Sequence, residues 1–226
     1  TTHEVALDID EVPWAKRQFW APDAAEKDGK FYLYFPTKDK NDVFKIGVAI
    51  SDKPEGPFES TKNPIEGSYS MDPSVFKDDD GSYYMYLGGI WGGQLQQWDE
   101  NGNYTEMGCE TQDNGIPNSP AISPRIAKMS NDMKSFAEEL KPIRIVDNSG
   151  NPILTKDHDR RFFEAAWIHK HNGTYYLSYS TGNTHYIVYA TGDNPYGPFV
   201  YQGILNEPVQ GWTNHHSTVK IDGKWY

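Results

Sequence analysis

The chain has 226 residues and a formal net charge of −11, with 32 acidic against 21 basic side chains. A surface of this sign repels nucleic-acid phosphates and anionic lipid headgroups, so we expect neither a nucleic acid nor a membrane as partner. Aromatic residues make up 14%, beside 20 glycines and 15 prolines, and the single cysteine, Cys109, cannot form an internal disulfide. This composition favours β-strands joined by tight turns.

A hairpin pattern recurs four times along the chain. Each copy contains an Asp-Gly or Asn-Gly pair followed by an aromatic-rich strand, and such pairs suit type I′ turns because both central residues need a positive φ. The turn glycines are Gly29, Gly81, Gly173 and Gly223. The first and last spacings are about 50 residues and the middle one is larger, so the pattern predicts repeated β-units.

A second element recurs between the hairpins. Pro-Glu-Gly-Pro-Phe at residues 54–58 and Pro-Tyr-Gly-Pro-Phe at residues 195–199 each separate two short strands, so that one period holds about four strands. A period of about 50 residues with four strands is typical of a propeller blade. The sequence therefore predicts an all-β fold and a β-propeller, with long loops at residues 88–93 and 114–124 in the expanded unit.

The two ends of the chain resemble parts of blades. Residues 4–7 resemble the strand that follows each Gly-Pro-Phe turn, and residues 224–226 stop within a strand. We therefore expect an incomplete propeller, truncated at both ends. No Ser/Gly linker or change of composition divides residues 1–226, so we expect a single domain.

Alignment of the four hairpins places Ala21, Asp72, Glu164 and His215 at one equivalent position, if the second and third turns are one residue longer. The first strand of each propeller blade lies beside the axis, so equivalent residues near its start converge on a central mouth. Paired carboxyl groups can cleave a glycosidic bond, since one protonates the leaving oxygen while another acts on the opposite side. The apolar neighbours of Glu164 are expected to raise its pKa, which favours it as the general acid.

Four segments resemble those of glycoside hydrolase family 43. They are Phe-Trp-Ala-Pro-Asp at 19–23, Met-Asp-Pro-Ser at 71–74, Phe-Glu-Ala-Ala at 163–166 and Asn-His-His-Ser at 214–217. The resemblance implies a five-bladed propeller of inverting enzymes, largely β-xylosidases, α-L-arabinofuranosidases and arabinanases. It implies that the first blade and part of the last are missing here.

The same resemblance assigns roles to particular residues. It makes Glu164 the general acid and Asp72 the residue that modulates the acid's pKa, and it places the catalytic base in a blade before Thr1, absent from this chain. Asp23 is a poor substitute for that base, because it aligns with Ser74, two positions past the site.

Further residues are candidates for substrate and metal binding. Trp20 could stack on a sugar face, and the other candidate substrate contacts are Ala21, Trp91, Trp167 and His215. His215 also matches a family histidine that helps to hold calcium near the axis, mainly through water. We expect no organic cofactor. The neighbouring His216 would point away on a strand of period two.

The sequence thus favours an inverting hydrolase of β-xylosidic or α-L-arabinofuranosidic bonds in hemicellulose or arabinan. Its expected partners are plant cell-wall oligosaccharides or polysaccharides such as xylan, arabinoxylan and arabinan, and we expect a secreted or periplasmic location because these polymers are extracellular. Two alternatives remain open, a glycan-binding propeller without catalysis and a retaining fructan-active enzyme on a related scaffold. The separation of the catalytic carboxyl groups would distinguish retention from inversion.

Overall fold

The structure is a computed structural model that describes residues 4–106, 117–211 and 214–226. Within these ranges the protein is all-β, and its helical elements are short 3₁₀ turns. None of the helices in the described part is long and apolar enough to cross a membrane. Cys109 and the first residues of the predicted loop at 114–124 lie outside the described residues.

Within the described ranges, the strands form three main sheets and one small hairpin. The first sheet contains β1 (Ala15–Arg17), β2 (Asp23–Lys27), β3 (Lys30–Asp39), β4 (Phe44–Ser51) and β5 (Glu59–Ser60). The second sheet contains β6 (Ser74–Lys77), β7 (Tyr83–Leu87), β8 (Arg125–Lys128) and β9 (Lys141–Pro142). The third sheet contains β10 (Ile145–Val146), β11 (Glu164–His171), β12 (Thr174–Ser180), β13 (Ile187–Gly192) and β14 (Phe199–Asn206). The hairpin consists of β15 (Lys220–Ile221) and β16 (Lys224–Trp225).

The predicted four-strand repeat is present in all three sheets. β2 to β5, β6 to β9 and β11 to β14 each run antiparallel in chain order. The first and third sheets each carry one further strand, since β1 pairs with the far end of β3 and β10 pairs in parallel with β14. The all-β prediction and the repeat are therefore confirmed.

The hairpin turns differ in one respect from the expectation. Asp28-Gly29, Asn172-Gly173 and Asp222-Gly223 have positive φ at both residues, as type I′ turns require. In the second turn, Asp80-Gly81, only Gly81 has a positive φ, and its N–H donates to the carbonyl of Asp78. A longer turn that ends in a left-handed glycine accounts for this geometry.

The extra residue in the third hairpin is in the strand and not in the turn, so its predicted longer turn is wrong. Glu164 pairs with Ser180 and Trp167 pairs with Ser178, so β11 gains one residue relative to β12 between these pairs. Ala165 lies there with a φ of 59°. A left-handed residue opposite an uninterrupted strand forms a β-bulge.

Residues 4–7 do not form the predicted strand. They are irregular, and the carbonyl of Ala6 accepts a hydrogen bond from the N–H of Phe58 at 2.9 Å. The carbonyl of Arg144, just before β10, accepts the equivalent bond from Phe199 at 2.8 Å. The segment therefore lies beside the last strand of the first sheet, as β10 lies beside β14, and one bond is too few to make a ladder.

The three sheets pack so that their first strands are neighbours. β2 lies against β6, and both β6 and β7 lie against β11. One continuous cluster of buried apolar side chains joins the sheets. Tyrosine hydroxyls add hydrogen bonds between sheets, as where Tyr34 donates to the carbonyl of Met133 and Tyr86 donates to that of Pro195. This packing brings the starts of β2, β6 and β11 together.

Candidate active site

Asp72 lies two residues before β6 in a buried, left-handed conformation. Its side chain is almost entirely enclosed, since the residue is 5% exposed, and its φ is 52°. The carboxylate oxygen Oδ2 accepts a hydrogen bond from the backbone N–H of Ala165 at 3.2 Å. The bulge of β11 therefore presents its amide to the acidic group on the neighbouring sheet.

The environment of Asp72 changes its protonation. Burial raises its pKa from 3.8 to about 6, against the opposing influence of His215 and of the Ala165 N–H, which both favour the charged form. A carboxyl group whose pKa lies near neutral pH is suited to acid–base catalysis.

Glu164 is the first residue of β11 and is 8% exposed. Its chain neighbours Phe162, Phe163, Ala165 and Ala166 are buried, so the apolar surroundings expected from the sequence are present. The loop of residues 88–93, called the glycine-rich loop below, covers the base of the Glu164 side chain. A Cβ atom at Gly89 would lie 3.2 Å from the Cβ atom of Glu164. Asp72 and Glu164 therefore belong to one site, linked through the amide that follows Glu164.

His215 approaches the same site from the last described segment. It is exposed, and its charge acts on both Asp72 and Asp23. Ala21, the fourth equivalent residue, is half-buried just ahead of β2. The structure thus joins Asp72, Glu164 and His215 in one region, and the catalytic and binding roles assigned to them remain predictions.

Asp23 has a structural contact. Its Oδ2 accepts a hydrogen bond from the N–H of Val75 at 2.6 Å, which ties β2 to β6. Burial raises the pKa of Asp23, while this bond and the nearby His215 act in the opposite direction. The expectation that Asp23 is a poor candidate for the base stays a prediction.

Two of the predicted aromatic residues flank the glycine-rich loop. Trp20 is 39% exposed and packs on Phe44 with 5.0 Å between ring centroids. A Cβ atom at Gly92 would lie 3.8 Å from the ring of Trp20. Trp91 is half-buried and meets Phe163 edge to face at 5.1 Å. Trp91 therefore contacts the residue before Glu164, and Trp20 lies beside the glycine-rich loop.

Trp167 and His216 have contacts within the third sheet. Trp167 pairs with Ser178, and its indole N–H is buried with no hydrogen-bond partner among the described residues. His216 is not in a strand, and its Nε2 lies 2.6 Å from Ser178 Oγ. A contact between Trp167 and substrate remains a prediction.

Two features of the site were missed from the sequence. One is the backbone N–H of Ala165, because nothing in an alanine indicates a left-handed φ. The other is Ser70, whose buried hydroxyl holds the glycine-rich loop. The glycines of residues 88–93 were the available signal for a close approach of the backbone.

No cluster of calcium-binding side chains is recognisable in the part of the chain that the structure describes. The described residues contain no group of three or more His, Cys, Asp or Glu side chains arranged to hold a metal ion. Calcium takes six to eight oxygen ligands, among them backbone carbonyls and waters, so the expected role of His215 in holding such an ion stays a prediction.

Comparison with known proteins gives the same family along the whole chain. The model of glycosyl hydrolases family 43 matches residues 2–226. A xylosidase/arabinosidase 43A of Humicola insolens is 57% identical, over 100% of this chain and 70% of its own length. A xylosidase/arabinosidase of Bacteroides ovatus is 54% identical, over 99% of this chain and 67% of its own length. The chain thus spans about two thirds of these relatives.

Solved structures agree. A family 43 β-xylosidase/α-arabinofuranosidase from a compost microbial metagenome, in a calcium-free complex with xylotriose, is 68% identical with a TM-score of 0.97, covering 100% of this chain and 68% of its own. A family 43 enzyme of Xanthomonas citri in complex with xylose is 52% identical with a TM-score of 0.93. The match covers 97% of this chain and 65% of that enzyme's chain. The resemblance noted in the sequence is confirmed, and the chain belongs to glycosyl hydrolases family 43.

Proposed function

We propose that this chain forms the catalytic part of an inverting hydrolase of β-xylosidic or α-L-arabinofuranosidic bonds in hemicellulose or arabinan. The observation that carries the proposal is the link between two buried carboxyl groups, in which the amide following Glu164 donates to Asp72. The names of the relatives support pentose substrates, and the xylotriose complex supports a xylan-type chain.

In this proposal Glu164 protonates the glycosidic oxygen as the bond to the anomeric carbon breaks. A water molecule attacks from the opposite face with the help of a general base, which we do not assign to a residue of this chain. Asp72, held by the Ala165 amide beside β11, would modulate the pKa of Glu164. Trp20 and Trp91 would bind the sugar through their flat apolar faces.

Several finer features belong to the same proposal. The repeated sheets and the packing of their first strands support a five-bladed propeller as the complete scaffold. A calcium ion would be reached by His215 mainly through water, and the proposed chemistry does not depend on it. Plant cell-wall xylan, arabinoxylan or arabinan would be the substrate, in a secreted or periplasmic setting.

The general acid can be tested with substrates that differ in their leaving group. Glu164→Gln keeps the size of the buried side chain and removes its proton, so turnover of xylobiose by the complete protein should fall by about 10²- to 10⁴-fold. In an activated dinitrophenyl xyloside, the dinitrophenolate is a stable anion that leaves without protonation. Turnover of this substrate should therefore fall much less. Equal losses on both substrates would exclude Glu164 as the acid.

A matched control and a stereochemical assay complete the test. Glu59→Gln changes a glutamate on the edge strand β5 and should leave both rates unchanged. NMR of the first product formed from a β-xyloside should show α-xylose. Initial β-xylose would indicate a retaining enzyme, and binding of xylo-oligosaccharides with no turnover by the unmodified protein would indicate a glycan-binding propeller.

A further inference from the structure

Ser70 is a fully buried serine two residues before Asp72, and its hydroxyl is bonded to both ends of the glycine-rich loop. Its Oγ lies 2.7 Å from the carbonyl oxygen of Gly93 and 3.2 Å from that of Gly89, and it accepts the N–H of Gly89 at 3.0 Å. A hydroxyl has one proton, so the shorter contact to Gly93 is the main donated bond. The side chain of Ser70 thus links the two ends of the loop through hydrogen bonds to Gly89 and Gly93.

The loop also rests directly on Met71, the residue between Ser70 and Asp72. A Cβ atom at Gly89 would lie 2.3 Å from Cε of Met71, and one at Gly93 would lie 2.8 Å from it. At both points where Ser70 holds the loop, a residue other than glycine would therefore require the side chain of Met71 to move. The backbone of the loop is packed against the irregular segment that leads to Asp72.

Between these two points the loop carries the groups that face the site. The N–H of Ile90 donates to the carbonyl of Phe163 at 2.9 Å, and Trp91 packs edge to face on the ring of Phe163. Gly92 lies beside Trp20. The loop thus reaches from Trp20 to the residue before Glu164, and its tip is Trp91.

We propose that Ser70 is a positioning residue that fixes the Trp91 loop, and thereby sets the affinity of the site for the ring of a neutral pentose. This inference rests on the proposed function. Glu164 is held by strand β11, and Asp72 is held by the Ala165 amide. Loss of the hydroxyl should therefore change binding more than the chemical step.

The test uses two variants of Ser70 and one control. Ser70→Ala deletes the hydroxyl, and Ser70→Gly deletes it at a φ of 66° that glycine adopts without strain, so the second variant also covers the case in which the first does not fold. Ser68→Ala is the matched control, because Ser68 is equally buried and its Oγ accepts a hydrogen bond from the N–H of Ile46 at 3.1 Å, away from the loop.

Steady-state kinetics of the complete protein on xylobiose should show KM raised about tenfold in Ser70→Gly with kcat within about threefold, which is the pattern for lost substrate binding. Deuterium exchange at residues 88–97 should be faster in both Ser70 variants and unchanged in Ser68→Ala. An unchanged KM in Ser70→Gly, or an equal rise in Ser68→Ala, would overturn the inference. Failure of the unmodified protein to cleave any pentoside would instead refute the proposed function.

Discussion

The raised pKa of Asp72 predicts that this residue makes the protein less stable as the pH rises. Burial raises this pKa from 3.8 to about 6, so the folded state holds the proton more tightly than the unfolded chain. The stability that Asp72 contributes is therefore fully present below about pH 3.8 and is lost as the pH rises through about 6. At about 1.4 kcal/mol per pKa unit, the loss between about pH 4.5 and about pH 7.5 is about 2 kcal/mol.

Asp72→Asn replaces the ionisable group with a neutral one of the same shape and should remove this loss. The difference in the free energy of unfolding, variant minus unmodified protein, should be about 2 kcal/mol larger at about pH 7.5 than at about pH 4.5. The variant is thus relatively more stable at the higher pH. Urea denaturation at both pH values measures this difference, provided that the dependence on denaturant is the same in both proteins. A difference between the two proteins that does not vary with pH would refute the reasoning.

Asp78→Asn provides a control of opposite sign. Burial alone would raise the pKa of Asp78, but hydrogen bonds from Lys170 at 2.7 Å and Tyr175 at 2.5 Å outweigh it and lower the pKa. The contribution of a carboxyl group with a lowered pKa is present at neutral pH and is lost as the pH falls. Asp78→Asn should therefore be more destabilising at the higher pH, where Asp72→Asn is most stabilising.

Two further substitutions test contacts between the sheets. Tyr86→Phe removes the hydroxyl that donates to the carbonyl of Pro195 at 2.8 Å. Urea denaturation should show a free energy of unfolding that is lower by about 1–3 kcal/mol. No change would show that this bond does not stabilise the packing of the sheets. Asp23→Asn keeps an oxygen that can accept the N–H of Val75, so turnover of xylobiose should stay within about threefold, whereas a loss of about 10²-fold or more would identify Asp23 as the missing base.

The third hairpin shows how far a sequence pattern extends. Asn172-Gly173 predicts its type I′ turn correctly, because the preference of these residues for positive φ is local. The extra residue near Glu164 was also detectable as a shift in alignment. Its location at Ala165 was not, since alanine has no preference for the left-handed φ of 59° that the bulge imposes.

The sequence by itself determined the strand periodicity, most of the turns and the repeat, because each depends on residue preferences that are local to a hairpin and recur from one hairpin to the next. The equivalence of Asp72, Glu164 and His215 stays a prediction. Tertiary structure alone decided that the Ala165 amide meets Asp72, that Ser70 closes the loop bearing Trp91, and that burial raises the pKa of Asp72. These features depend on contacts between segments that are distant in the chain. Their free energies come from desolvation and hydrogen-bond geometry, which exist only once the sheets have packed.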